Sequence, residues 1–499
     1  MRRSMFLVAL ALCLAACQQE TPATATTAST DTTATTSPAP AAGQPLIRYQ
    51  GIDPNVFVPM ATIDGWINAT PPNDAAIDDH CWKLWAAMNK DSGQAYNGTP
   101  LPVWETWWDS TTVYKVDESA PMTTADAGQG GDLLMAKKPN RAVPSQRRFH
   151  RPNQFFKGHT APVSARANAG PVTGSAGLLL TFNRFTQEMK DHVWTNSYYL
   201  KSTLNSLNNS WPAGTPVANR AIKPFPNTSI MTKPVFWIIS GTQPTMVPYW
   251  NGLGTNASTD AENPANPTWK QCVLADPTGQ AKNDQDRVCN EGNPGQTTMK
   301  AGTYQVVPVN KVPAQSAFYA FQLSQDEVND LQQFADELGN SNVSVSQVKA
   351  GDFALLVATH VSTREIDNWT WQTFWWQPNA SQLPADPPTR MAPPSSIPKP
   401  WSQYAGCTAY YMVNPPGSKT GKGRLCYNPY LETDLTGLKG PDKTGQGTGV
   451  QSNCMTCHRA AAWTTNQYAI AFELDPDDKI WFATNTKLDF AWSMQTFAH

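Results

Sequence analysis

Five consecutive residues, Cys454-Met455-Thr456-Cys457-His458, constrain this chain more than any other stretch of its 499. Two thiols three positions apart, followed at once by an imidazole, form the pattern to which haem is covalently attached. Each thiol adds to one vinyl group, and the imidazole then meets the iron from one face. With this composition the pattern is expected by chance about 0.002 times per chain. A redox C-x-x-C pair would open a helix after a buried strand. Here the glycine-rich stretch TGLKGPDKTGQGTGV, residues 436–450, precedes the motif instead. A structural zinc site would need a second short-spaced pair of ligands, which the sequence lacks. The spacing therefore implies one covalent haem c on Cys454, Cys457 and His458, with the His458 imidazole as an iron ligand. Met455, inside the motif, points the wrong way for its own haem.

Such haem is attached outside the cytoplasm, and the N-terminus agrees. Arg2 and Arg3 precede an apolar run from Met5 to Leu14, too short to span a bilayer, and then Leu14-Ala15-Ala16-Cys17. This is the anatomy of a lipoprotein signal peptide, residues 1–17, in which Cys17 becomes the lipidated first residue. Gln18, in place of Asp, directs the expectation to the periplasmic side of the outer membrane, with the inner membrane as the lesser alternative. Residues 18–44 are almost wholly Thr, Ala, Ser, Pro and Gln. Without apolar side chains to bury they read as a disordered tether, whose ends as a coil would lie about 30 Å apart.

The remaining residues divide into a body, 45–405, and a C-terminal haem segment, 406–499. Charged residues make up 15% of the chain, well under the usual quarter, while Pro (42) and Trp (19) are plentiful. That balance favours strands joined by proline-punctuated loops. The net charge is −2, two units more negative once Arg2 and Arg3 leave, which argues against a nucleic-acid partner. Residues 351–361 and 368–376 are apolar, β-branched and aromatic, and the polar stretch STREID between them predicts a hairpin. In its second strand Trp369, Trp371, Thr373 and Trp375 share one face, with Phe374 and Trp376 on the other. Ser324 and Glu327 form a capping box for a helix with its apolar stripe on Val328, Leu331, Phe334, Ala335 and Leu338, closed by Gly339. Residues 177–194 read as a strand entering a helix, and 233–241 as a buried strand. The expected class is mixed α+β: a β-rich body with long loops, followed by a small, mainly helical haem segment.

Five cysteines are left after the signal, the lipid and the haem have taken theirs. Nearest-neighbour pairing gives Cys272–Cys289 and Cys407–Cys426, each closing a loop of a size for which about 3 kcal/mol is expected. It leaves Cys81 as a buried thiol outside either pair.

The segments FNRFTQEMKDHVWTNSYYL, KPVFWIISG, HVSTREIDNWTWQTFWW and SNCMTCHRAA occur in this order. Together they resemble a group of exported bacterial c-type cytochrome-like proteins, over most of residues 175–495. In that group a His-containing strand precedes W-x-W-x-T-F, and a single C-x-x-C-H lies near the C-terminus. His360, Trp369, Trp371, Thr373, Phe374, Cys454, Cys457 and His458 match. Where the group continues with Glu-His, this chain has Trp375 and Trp376. The resemblance implies haem and export and leaves the reaction open.

The sixth iron ligand decides the chemistry, since Met raises the potential, a second His lowers it, and an open position admits ligands. Met494 is the expected ligand, with His360 as the alternative; His192 and His499 are weaker ones. The tryptophan ladder suits stacking on sugars, but alternating aromatics on a strand more often fill a core. The run 136–152, AKKPNRAVPSQRRFHRP, holds six Lys and Arg and could dock an acidic partner, although such runs are more often solvated loops. The expected function is periplasmic electron transfer beside a redox partner protein. One alternative is a haem oxidoreductase, oxidase- or peroxidase-like, with an open distal site. Another is a polymer-binding lipoprotein with accessory haem.

Overall fold

The computed structural model describes residues 47–114, 147, 149, 179–250, 271–289, 297–337, 348–382, 391–410, 426, 428–432, 458–463, 482 and 484–498. From Ile47 onward they belong to one unit. The signal peptide, Cys17 and the 18–44 tether lie outside them, as do Cys454 and Cys457. No helix among the described residues is long and apolar enough to cross a membrane.

An eight-stranded antiparallel sheet organises the chain. Its strands are β1 (Trp108–Asp109), β2 (Leu179–Thr181), β3 (Arg184–Phe185), β4 (Ile230–Ile239), β5 (Ala320–Gln322), β6 (Phe353–Thr363), β7 (Thr370–Trp376) and β8 (Tyr404–Tyr410). The order is β8-β7-β6-β4-β3-β1, with β5 also on β6 and β2 also on β4. All residues of β6 and β7 are buried, so both faces of the sheet are covered. This explains why β6 reads as an almost unbroken apolar run and not as an alternating one: neither set of side chains meets water. The expected hairpin is β6–β7, with His360 opposite Thr373. The strand expected over 233–241 is β4, and the expected strand-to-helix stretch is β2, β3 and then helix Gln187–Thr195.

On one face lies helix α1 (Asp74–Met88). Asn73 caps it by accepting from Ala76 N at 3.2 Å, and Ile77, His80, Cys81, Leu84, Trp85 and Met88 turn inward at helical spacing. Trp82 and Trp85 pack on Phe374, with ring centroids 5.5 and 4.0 Å apart. Farther along this face Arg147 is buried, against the solvated-loop expectation for the basic run. Its Nη2 meets Glu105 Oε2 at 2.8 Å, its Nη1 lies 3.6 Å from Glu327 Oε1, and its guanidinium covers the Phe321 ring at 3.4 Å. Phe149, two residues on, is buried between Phe182, Phe236 and Phe321. The rest of the run, His150 included, lies outside the described residues.

Glu327 serves twice. Its carboxylate accepts from Ser324 N at 2.8 Å while Ser324 Oγ accepts from Glu327 N at 3.2 Å, which is the expected capping box of helix Gln325–Glu337. Val328 and Leu331 of the expected stripe are buried; the side chains of Phe334, Ala335 and Leu338 lie outside the described residues.

Both expected disulfides are formed, Cys272–Cys289 and Cys407–Cys426, with Cα separations of 5.8 and 5.9 Å. Gly406, where the C-terminal segment was expected to begin, lies within β8 and pairs with Phe374. Beyond β8 the described residues contain helices Pro429–Glu432 and Trp492–Phe497 and the paired strands Ala462–Trp463 and Thr486–Lys487.

Candidate functional site

The other face of the sheet carries the residues that the sequence singled out. Strand register sets them in rows. Lys233, His360, Thr373 and Cys407 form one row across β4, β6, β7 and β8. Met231, Ser362, Trp371 and Ala409 form the next on one side, and Val235, Ala358, Trp375 and Ala405 the next on the other. Asn428 Nδ2 donates to Thr373 Oγ1 at 2.8 Å, so the residues just after Cys426 lie on this same face, tied down by the bridge to Cys407.

His458 packs on Trp371, ring centroids 4.4 Å apart, and its Nδ1 is 2.7 Å from the carbonyl oxygen of Phe490. A carbonyl only accepts, so the proton sits on Nδ1 and the lone pair is left on Nε2. Part of the ring keeps some access, yet burial pushes its pKa down to about 4; the Phe490 carbonyl opposes this and the Lys233 charge adds to it. The imidazole is therefore neutral at pH 7, with its Nε2 lone pair available to a metal.

The turn that delivers the carbonyl is strained. Asp489 and Phe490 have φ of 43° and 64°, and Trp369, across from them, has φ of 58°. Among the described residues only five non-glycine positions have positive φ, and three of them meet here, Phe490 as the acceptor for His458 and Asp489 as the acceptor for Trp369. For side chains as large as Trp and Phe this conformation costs about 1–3 kcal/mol each, and such strain concentrates at functional sites. Asp489 holds it in place. Its Oδ1 accepts from Trp369 Nε1 at 3.3 Å, and its Oδ2 accepts from Phe225 N at 2.8 Å and Arg364 Nε at 3.2 Å. Trp369 was expected on the strand face with Trp371. It sits instead in the turn before β7, its N–H bonded to the Ile366 carbonyl.

His360 is buried on the same face as Trp371. Burial holds its pKa well below the ordinary value, and the charges of Lys233 and His458 push it further the same way, so the two imidazoles lie within electrostatic reach. Met494 is fully buried in helix Trp492–Phe497. Tyr114 anchors that helix, through Oη to Ser493 Oγ at 2.8 Å and by stacking on Phe497. His192 lies on a half-buried helix face, its ring 4.7 Å from that of Phe225 and its Nε2 3.0 Å from the Lys223 carbonyl, which already occupies that nitrogen. Trp369, Trp371, Trp375 and Trp376 are at most 1% exposed, so the ladder fills a core and offers no open stacking surface.

Sequence reasoning missed Lys233, Asp489 and Phe490. The only signal for the last two was their place beyond the motif in LDFAWSMQTF. No family model, curated protein or solved structure matches this chain.

Proposed function

We propose that the protein is a lipid-anchored c-type haem protein that transfers single electrons, with one haem joined to Cys454 and Cys457 and His458 as its fifth ligand. The bond from His458 Nδ1 to the Phe490 carbonyl carries this reading: it is the outer contact that a metal-binding histidine needs to present Nε2. Bound haem supplies a ferrous–ferric couple at that nitrogen. The chain's own part is to keep the imidazole neutral and aimed. The Phe490 carbonyl holds the proton on Nδ1, Trp371 covers one side of the ring, and Asp489 fixes the turn that brings both together. The haem-bearing part is the segment 406–499, whose helical content beyond Pro429–Glu432 and Trp492–Phe497 belongs to this reading. A redox partner protein gives or takes the electron. Retention of the chromophore through denaturing electrophoresis tests the assignment.

Met494 is the sixth ligand expected from its position past the motif. A second reading, bis-histidine ligation by His360, is favoured by the shared face of His360 and Trp371, the ring on which His458 packs. The two differ in spectrum. With Met494, the oxidised protein shows a weak sulfur-to-iron charge-transfer band that Met494→Ala removes. With His360, the band is absent from low-spin wild type, and His360→Ala alone turns the iron high-spin at lower potential before mutation. Ready binding of carbon monoxide by reduced wild type would overturn both and favour an open-site oxidoreductase.

Anchoring through Cys17 at the periplasmic side of the outer membrane is part of the same proposal. Cys17→Ser should release the mature protein into the soluble periplasmic fraction or leave the precursor unprocessed. A wild-type protein that is already soluble, without acyl mass on its N-terminal peptide, sinks it.

A further inference from the structure

Two consecutive residues of the β6–β7 turn make buried ion pairs with different parts of the molecule. Glu365 meets His80 of α1, Oε1 to Nε2 2.9 Å. Arg364 meets Asp489, Nε to Oδ2 3.2 Å, in the strained turn that carries the acceptor for His458. The turn thus clasps α1 on one side and the residues beside His458 on the other.

Arg364 is held rigidly. Its backbone N–H donates to the Ser229 carbonyl at 3.0 Å, its Nη1 to the Ile366 carbonyl at 2.9 Å, and its Nη2 to Asp367 Oδ1 at 3.1 Å. The two carboxylates it meets are not equivalent. The Asp367 side chain is 80% exposed, and a pair so open to water contributes little. The Asp489 side chain is 9% exposed, so its charge depends on a partner. Phe225 N and Trp369 Nε1 also donate to it, but both are neutral. Among the described residues Arg364 is the one cation within ion-pair distance of Asp489.

The guanidinium therefore decides whether the carboxylate stays inside. Without it, hydration favours an Asp489 turned to water, and the turn loses what offsets positive φ at both Asp489 and Phe490. The Phe490 carbonyl is then no longer fixed 2.7 Å from His458 Nδ1.

We infer that Arg364 is a positioning residue for His458: through Asp489 it keeps the Phe490 carbonyl on Nδ1 and so keeps the lone pair on Nε2. Its purpose rests on the haem reading above, whereas its action on the imidazole rests on the hydrogen bonds alone.

The test has two parts, both on the full chain. In protein matured with covalent haem, proton magnetic resonance follows exchange of the His458 Nδ1–H with solvent. Arg364→Gln should speed that exchange about tenfold, the scale of one charge-assisted hydrogen bond. In the haem-free chain with serine at 454 and 457, nitrogen magnetic resonance at pH 7 shows which imidazole nitrogen carries the proton, His458 being assigned by its loss in His458→Gln. The parent should be the Nδ1–H tautomer, and Arg364→Gln should shift the ratio toward Nε2–H by a similar factor. Arg364→Lys keeps the charge without the planar fork and should show part of both effects, which keeps the test usable if Arg364→Gln does not fold. His80→Gln removes the other buried ion pair of the same turn and controls for general loosening; it should leave His458 unchanged. Unmoved exchange and tautomer in both Arg364 variants, or an equal response in His80→Gln, would overturn the inference. A wild type that carries no covalent haem would defeat the haem reading, while a tautomer shift in the haem-free chain would still assign Arg364 to His458.

Discussion

A chain with serine at both 454 and 457 should leave a denaturing gel with no haem stain at all, while wild type made alongside haem-attachment machinery keeps it. The difference is all-or-none because denaturation removes every non-covalent hold on the group, including His458, and leaves only the thioether bonds. Either single variant, Cys454→Ser or Cys457→Ser, can retain haem through one bond and should show an altered optical spectrum from the surviving vinyl group. Loss of the chromophore from wild type, or its survival in the double variant, would end the covalent-haem reading. A protein that instead contained zinc in stoichiometric amount would replace it with a metal site of another kind.

The second large effect concerns stability. Arg147→Met should destabilise the fold by about 3–5 kcal/mol at neutral pH, because it strands two buried carboxylates, Glu105 and Glu327, without their shared cation. Burial works against the charge on Arg147, but Glu105, Tyr319 and Glu327 together more than offset it and hold its pKa above the usual value. Burial also raises the pKa of Glu327 even with Arg147 present. In the variant that rise should grow. A carboxyl group whose folded pKa lies above its unfolded one favours the fold below the unfolded pKa and loses that contribution as pH rises through the folded one. The variant should therefore recover part of its stability as pH falls from 7 toward 5, by more than wild type, in which Arg147 opposes the rise. Chemical denaturation at the two pH values measures this. A loss below about 1 kcal/mol at pH 7 would mean that water reaches the carboxylates and the network is not sealed.

Local signals in the sequence were read correctly where one residue's chemistry decides local structure. Ser324 and Glu327 announced a capping box because each satisfies the other's backbone N–H without help from elsewhere. The hairpin of Phe353–Thr363 and Thr370–Trp376 was visible because its aromatic and β-branched runs have no other stable disposition. The disulfides were visible because nearest-neighbour pairing closes two short loops that are otherwise poorly held. Long-range placement was not visible. Nothing in AKKPNRAVPSQRRFHRP separates Arg147 from the five other Lys and Arg of that run; only Glu105 and Glu327, distant in sequence, make it a buried residue. Trp369 was assigned to the strand by alternation, yet a bond from its N–H to the Ile366 carbonyl and a grip by Asp489 hold it in the preceding turn. At the candidate site His458 could be named from spacing alone. Trp371 was marked by the W-x-W-x-T-F match but not as its partner, and Lys233 and Phe490 come from separate stretches where a lone Lys or Phe carries no motif.

The grip on His458 also sets a timetable. Trp371 belongs to a strand whose neighbours on both sides are complete before the motif is reached, whereas Phe490 comes 32 residues after His458. The sheet can thus stand ready before the motif is reached, and the imidazole gains its fixed direction only when residues 486–490 fold back and Asp489 bonds to Trp369, Arg364 and Phe225. For a haem-bearing chain, attachment then belongs to the interval between these events. On the proposed haem reading, the strained turn at Asp489 and Phe490 would be the closing step of maturation, and a chain that closed too early would be sealed without its cofactor.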